Sequence, residues 1–396
     1  MKKSKRVALI IRSASRTYGG GLIRGVMKYS RLHGPWVFPL VFYGQDLFYV
    51  ARGNEQAQLE YLKKWGPQGV IVSDAKDVEG WGIPVFVVKG TKPSSAKLNY
   101  IVTDNRAISR MAAEHLLERG FRNFGYCGFY DNTNWSDIDW SVEREKYFSE
   151  RISEAGFKIS IYKQPKSRAN RSWNEEEAAL VEWLRGLPKP VGIMACNDDR
   201  GQHVTETCAY AGLDVPCDVA VIGADNDERV CEMSNPPLSS VALDTEKAGF
   251  RASELLDKMM EGRKAKPQTV IVQPSRVVTR QSTNIVAVED KLVSRALMFI
   301  HHNAKRLIQV ADVIDYLGVS RRNLDDKFMK MLGRSVHDEI KRVRIDLICH
   351  MLLETELSIS DIVLGLGYND TNHIARYFKQ KMGMSPLEYR KLHGHK

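Results

Sequence analysis

The chain has 396 residues, enough for two or three domains with sizeable cores. Its 43% of hydrophobic residues is the level of a soluble globular protein, and no apolar stretch approaches the length of a membrane-spanning helix. The net charge of +10 permits a polyanionic partner without requiring one, and only +4 of it falls in residues 285–396.

From the N-terminus, a basic hexapeptide precedes an apolar run over 7–11 that Arg12 interrupts. That run is too short for the core of a secretory signal, so it reads as a first β-strand, and a cytoplasmic location is expected. The six cysteines (Cys127, Cys196, Cys208, Cys217, Cys231 and Cys349) include no Cys-x-x-Cys pair and no zinc spacing, which predicts reduced thiols. No cofactor or metal is expected. Gly19-Gly20-Gly21 lacks the residues of a phosphate cradle and reads as a flexible turn into a helix over 20–33. A strand over 36–43, a helix over 55–65 and strands over 70–72 and 85–88 follow. After a turn at Thr103-Asp104-Asn105 comes a helix over 107–119, ended by Gly120. The rhythm continues as strand 124–128, helix 143–155, strand 159–162, helix 175–186, strand 191–195, helix 200–211, strand 219–222, helix 246–261 and strand 269–274.

Such alternation predicts parallel sheets covered by helices on both faces, with too many units for one sheet. Two doubly wound α/β subdomains are expected, with ligand bound outside the C-terminal strand ends in the cleft between them. Ser13, Ser15 and Tyr18 after the first strand, and Asp74 after the third, are candidate ligand contacts by that rule. Tyr130, Trp135 and Trp140 surround a loop where an aromatic face suits the C–H face of a sugar ring, Trp135 being the best placed. Residues 6–284 resemble the periplasmic-binding-protein-like sensor domain of LacI-type regulators. The resemblance rests on Val102-Thr103-Asp104-Asn105, His115-Leu116-Leu117-Glu118-Arg119-Gly120, Glu143-Arg144, Cys196-Asn197-Asp198, Val221-Ile222-Gly223-Ala224-Asp225-Asn226 and Arg280-Gln281-Ser282-Thr283. It implies that Arg144 and Asp225 contact a sugar, with Asn197 as a third polar contact. It also places Asp198 as a carboxylate that fixes a loop. The subdomains are expected at about 1–121 with 238–264, and about 122–237 with 265–284.

Residues 285–290 form a short linker without Pro or Gly, and the remainder, 291–396, says one thing twice. Val310, Val313, Ile314 and Leu317 lead to Gly318-Val319-Ser320, Leu324, Phe328 and Gly333; Ile359, Ile362, Val363 and Leu366 lead to Gly367-Tyr368-Asn369-Asp370, Ile374, Phe378 and Gly383. Each copy reads as a short helix, a glycine turn and a second helix capped by Ser320 or Asp370, the helix-turn-helix layout. Ser335 with Asp338 opens a connecting helix of about 19 residues, roughly 28 Å long, which can hold two readers about one duplex turn (roughly 34 Å) apart. Adjacent His301 and His302 make no metal face and are expected on the surface.

This segment resembles the AraC family of bacterial transcription regulators. The matching residues are Gly318-Val319-Ser320, Leu324 to Phe328, Arg344-Ile345, Gly367-Tyr368, Phe378 and Ser385-Pro386-Leu387-Glu388-Tyr389-Arg390. The resemblance implies double-stranded DNA as partner. Its base-facing positions are Arg321, Arg322, Asp325 and Asp326 in the first unit, and Thr371, Asn372, Ala375 and Arg376 in the second. Arg322 and Arg376 suit guanine and Asn372 adenine, whereas the two aspartates repel phosphate. Lys327, Lys330, Lys379 and Lys381 are candidate phosphate contacts, though each also suits a solvated helix face.

A LacI-type sensor in front of an AraC-type reader resembles the xylose operon regulators of bacteria. That order implies a sugar-responsive transcription regulator, expected to be a homodimeric activator that answers to a pentose such as D-xylose and contacts RNA polymerase, without enzymatic activity or membrane contact. Three alternatives stand beside it: a transport-type solute-binding protein, a regulator for a non-pentose ligand with a repressor role, and a cysteine-dependent methyl acceptor fused to AraC-type helices, which needs a reactive thiol.

Overall fold

A computed structural model describes residues 4–11, 16–39, 55–92, 98–129, 139–163, 173–263, 266–285, 287–288, 290–368 and 371–393. The chain forms two compact units, Met1–Asn284 and Ile285–Lys396.

The first unit runs β1 (Lys5–Ile10), α1 (Arg16–His33), β2 (Trp36–Val37), α2 (Glu55–Trp65), β3 (Gly69–Val72), β4 (Val85–Lys89), β5 (Asn99–Thr103), α3 (Asn105–Glu118), β6 (Asn123–Cys127) and α4 (Asp139–Glu154). It continues with β7 (Ile159–Tyr162), α5 (Trp173–Gly186), β8 (Val191–Ala195), α6 (Asp198–Ala211), β9 (Val219–Asp225), α7 (Glu228–Met233), β10 (Ser239–Leu243), α8 (Thr245–Met260), β11 (Thr269–Val272) and β12 (Pro274–Val278). One sheet has the order β11-β5-β4-β3-β1-β2, the other β12-β10-β9-β8-β6-β7. Pairing is parallel except between β10 and β12. Val7 to Ile10, Val70 to Val72 and Val191 to Ala195 are buried on both faces, which is why these strands are unbroken apolar runs. Leu22, Val26, Ala252 and Leu256 cover one face of the first sheet, and Leu62 and Val78 the other.

The chain crosses between the two lobes three times, after β5, after β10 and between β11 and β12. This corrects the expected subdomain boundaries. The helix α3 packs on α4, β12 and β8, so the first crossing lies at Asp104 and not near residue 121. The strand β10 belongs to the second sheet and β11 to the first, the reverse of the grouping of 238–264 and 265–284. The reason is pairing: β11 adds to β5 with Val270 opposite Ile101, while β10 adds to β9 with Val241 opposite Ala224. At the crossings the Asp104 amide donates to the Val272 carbonyl at 3.0 Å and the Asp244 amide to the Gln273 carbonyl at 2.9 Å.

The triple glycine is helical rather than a turn, because α1 starts at Arg16. Its reason for glycine is proximity to α8: a Cβ on Gly21 would meet Thr245 Oγ1 at 1.9 Å, and one on Gly25 the Glu246 carbonyl oxygen at 2.1 Å. The strand expected over 36–43 ends at Val37 among the described residues.

The second unit is helical: α9 (Lys291–His302), α10 (Val310–Leu317), α11 (Arg321–Leu332), α12 (Val336–Glu354), α13 (Ile359–Gly365), α14 (Thr371–Met382) and α15 (Pro386–His393). The repeat survives in backbone geometry, since Gly318 and Gly367 both adopt left-handed φ (67° and 81°) in the turns, as do Gly333 and Gly383 (65° and 74°) after the second helices. The Ser320 hydroxyl accepts from the Asn323 amide at 3.4 Å and that of Ser335 from Asp338 at 3.2 Å, so both caps form. Asp370 lies outside the described residues. Contrary to expectation, His301 turns inward, where burial and Arg342 lower its pKa to about 4 and its Nε2 has no partner among the described residues. No helix among the described residues is long and apolar enough to cross a membrane.

Candidate ligand cleft and nucleic-acid interface

The cleft is built around Arg144 on α4, 3% exposed. Its Nε donates to Asn105 Oδ1 at 3.1 Å, Nη1 to the Cys196 carbonyl at 2.5 Å and Nη2 to Asp225 Oδ1 at 3.5 Å. The guanidinium lies over the Trp140 ring, 4.9 Å from its centre. Asn105, 1% exposed at the start of α3, is the hub that sequence reasoning missed. Besides accepting from Arg144, its Nδ2 donates to the Gly90 carbonyl at 2.8 Å and to Glu143 Oε2 at 2.9 Å. The signal was present, as Asn105 follows the helix-capping Asp104 at a strand end.

Asp225 ends β9 with φ of 100°, and Asn226 follows at 51°, left-handed values that cost free energy in non-glycine residues. The surroundings enforce them. The Asn226 amide donates to Ser240 Oγ (3.0 Å), the Asp227 amide to Asp198 Oδ2 (2.7 Å), and Arg280 Nη1 to Asn226 Oδ1 (2.9 Å). Asp198 therefore does fix this loop. It is fully enclosed, and burial first, then the charge of Asp225, pushes its carboxyl well above the ordinary carboxylate range.

Tyr18 approaches from the other lobe. Its hydroxyl is 3.0 Å from Thr103 Oγ1. Burial raises its pKa to about 12, with the Thr103 hydrogen bond lowering it, Asp225 raising it and Arg144 lowering it, which puts all three charged or polar groups in one neighbourhood. Thr17, beside it on α1, stands close enough to Asp227 on the other lobe to lower its carboxyl pKa. Trp140 closes against Gly90, where a Cβ would stand 2.7 Å from its Cδ1. The structure thus brings together Arg144, Asp225 and Tyr18. It places Asn197 beside them as the cap of α6, its Oδ1 accepting from the Arg200 amide (3.0 Å) and its Nδ2 donating to Asp199 (3.3 Å). Asp74 caps the 3-10 turn at Ala75–Val78 by accepting from the Lys76 amide, with no hydrogen bond to the others among the described residues. Ser13, Ser15, Tyr130 and Trp135 lie outside the described residues.

On the helical unit, Arg322 is 94% exposed and Arg321 71%, paired loosely with Asp326 (4.0 Å) and Asp325 (3.5 Å) one turn on. Two contacts bear on the expected DNA face. Asp325 also accepts from the Val336 amide at 3.4 Å, at the start of α12. Lys327, its side chain 36% exposed, reaches Asp290, the cap of α9. Arg376, Lys330, Lys379 and Lys381 are exposed and Ala375 is half-buried. Thr371 and Asn372 form the first turn of α14, and their side chains lie outside the described residues. Arg344, 8% exposed, locks the two helix-turn-helix halves: Nη1 donates to the Tyr368 hydroxyl (3.1 Å), Nη2 to the Arg306 (2.7 Å) and Ile308 (3.1 Å) carbonyls.

No cysteine offers a reactive thiol. Burial pushes Cys196 and Cys208 up to about 12 and Cys349 to about 11, and raises Cys127, Cys217 and Cys231 as well. Among the described residues no cluster of His, Cys, Asp or Glu is arranged to hold a metal ion.

Comparison with known proteins agrees with this two-part arrangement. A periplasmic binding protein-like domain is matched over residues 113–283 and a helix-turn-helix domain over 313–392. The xylose operon regulatory protein of Haemophilus influenzae is 34% identical, covering 78% of this chain and 79% of its own. That of Escherichia coli is 30% identical over 98% of this chain and 97% of its own. The solved structure of a xylose-binding transcription activator superposes with a TM-score of 0.79 at 27% identity, covering both chains in full. A regulator in complex with cellobiose shares the fold of the first unit, with a TM-score of 0.54 at 22% identity over 71% of this chain and 86% of its own. With both halves matched and 79% and 97% of these two relatives covered at 34% and 30% identity, the chain belongs to the family of xylose operon regulatory proteins.

Proposed function

We propose that this protein is a sugar-responsive, sequence-specific transcription regulator that activates a pentose catabolic operon when a sugar such as D-xylose occupies the cleft. The observation that carries the reading is the Arg144–Asp225 pair, buried and held in place on the lobe that Tyr18 faces from the other. An arginine donates and a carboxylate accepts, and a vicinal diol needs both. Five guanidinium N–H groups less the three used among the described residues leave two for hydroxyls. The sugar favours whichever lobe arrangement it binds better, and that differential affinity is the whole of its leverage. Arg280 carries the change onward, because the residue that holds Asn226 opens the segment leading to the helical unit: Arg119 Nε donates to the Thr283 carbonyl at 2.8 Å, and His115 bonds the Thr283 hydroxyl at 2.7 Å. The protein acts as a cytoplasmic homodimer without cofactor, with RNA polymerase as a further partner and no enzymatic step. Exposed Arg322 and Arg376 support base reading, with Lys379 on phosphate. Calorimetric titration with D-xylose and other pentoses, joined to a mobility-shift assay on the DNA upstream of its own gene, tests both halves. Absence of binding by every pentose at millimolar concentration discards the ligand, and absence of a shift discards the DNA.

A further inference from the structure

Between α12 and α14 lies a hollow of about 520 Å³ whose third wall is Leu307 to Gln309. Among the described residues its lining carries His337, Lys341, Arg344 and Arg376 and no carboxylate. Arg344 is taken up by carbonyls and by Tyr368, so it is structural. Lys341 is half-buried, its ammonium 5.1 Å from the centre of the Tyr377 ring. The Tyr377 hydroxyl is sealed from solvent and has no hydrogen-bond partner among the described residues. Arg376 lies on the second reading helix, so the hollow is continuous with the face that helix presents.

We propose that this hollow seats the DNA backbone between the two grooves being read, with Lys341 and His337 as phosphate contacts. The charged groups of the lining are Lys341, Arg344 and Arg376, with Asp338 near Tyr377 but not in the lining, which suits a polyanion, and the rod that spaces the readers must itself pass over the intervening strand. The Tyr377 ring beneath Lys341 holds its ammonium in place in the unbound protein. The inference rests on the DNA-binding reading above and deepens it: α12 becomes part of the grip.

The test measures the dissociation constant of the full-length protein for its operator and for an unrelated duplex between 50 and 200 mM salt. Lys341→Ala is expected to weaken both duplexes by the same factor. It should make the log–log salt slope shallower by about 0.9, so that the affinity gap to the parent narrows about 3.5-fold across that range. Arg376→Ala, by contrast, should narrow the ratio between operator and unrelated duplex. Lys341→Gln, which keeps the stem on Tyr377, guards against a folding defect and should give the same slope. A Lys341 variant with the parent's thermal midpoint and the parent's slope overturns this inference alone. A parent that binds no duplex overturns the DNA-binding reading and this inference with it. Thermal stabilisation of the parent by millimolar pyrophosphate, lost in Lys341→Ala while the slope is unchanged, assigns the hollow to a free anion and also overturns it.

Discussion

Replacing Arg144 by lysine keeps the charge and removes the geometry. The arginine makes three contacts from one plane, to Asn105, Cys196 and Asp225, and rests on Trp140. A lysine carries its three N–H donors on one nitrogen, so it cannot reach Asn105, the Cys196 carbonyl, Asp225 and a sugar hydroxyl from the spread of a planar fork. The loss to sugar binding is one charge-assisted hydrogen bond, about 1.5–3 kcal/mol. That corresponds to roughly a 10- to 150-fold weaker Kd for D-xylose. Orphaning Asn105 Oδ1 and the Cys196 carbonyl costs stability in free and bound protein alike, so it moves the thermal midpoint more than the affinity. Isothermal titration at pH 7 reads the first effect and calorimetric unfolding the second. Arg144→Lys binding within twofold of the parent would refute the assignment of this guanidinium to the sugar.

Glu339, 1% exposed, accepts from Arg334 and Arg342, whose side chains are 27% and 32% exposed. Glu339→Gln should cost about 2–3 kcal/mol, below the range for a fully buried pair because both partners meet solvent, and lower the midpoint of the helical unit by about 10 °C. Burial raises the Glu339 pKa, but the hydrogen bonds and charges of Arg342 and Arg334 outweigh it and hold the carboxyl below its ordinary value. Its contribution is therefore complete above the unfolded carboxylate pKa and lost as pH falls below about 4.5 through the folded one, so unfolding at pH 7 and pH 4 should show a smaller acid loss in the glutamine variant than in the parent. A Cβ on Gly249 would stand 2.1 Å from the Leu22 carbonyl oxygen, so Gly249→Ala should destabilise the first unit by about 3 kcal/mol in denaturant titration, whereas Gly186→Ala, with open space around it, should not. Lys327→Ala should lower thermal stability through the loss of Asp290 and leave the salt slope of DNA binding unchanged; a slope about 0.9 shallower would assign Lys327 to the phosphates.

The helix-turn-helix half was legible because its signals are local. Ser320 and Ser335 cap the helices that follow them, Gly318 and Gly367 turn the chain, and apolar spacing marks each buried face. The lobes were legible in their alternation but not in their seams. Ser239-Ser240-Val241-Ala242-Leu243 has the small residues of a strand wedged against others, and Pro274 to Val278 runs antiparallel at an edge, so neither carries the dense Val/Ile signature of β1 or β8. Arg144 and Asp225 were given a role by resemblance, whereas Asn105 lay in a matching stretch without one, since its importance comes from partners distant from it in sequence. Asp325 and Lys327 show the converse limit: helical spacing puts both on an exposed stretch of α11, and only the tertiary structure shows their contacts to Val336 and Asp290.

The three passages between the lobes have a further consequence for how the sensor can be taken apart. Neither lobe is a continuous piece of polypeptide, so no simple truncation isolates one, and a separate first lobe requires the segment ending near Asp104 to be joined to one that begins near Asp244 and carries α8 and β11. Conversely, a protease that nicks one passage leaves the halves joined by the other two.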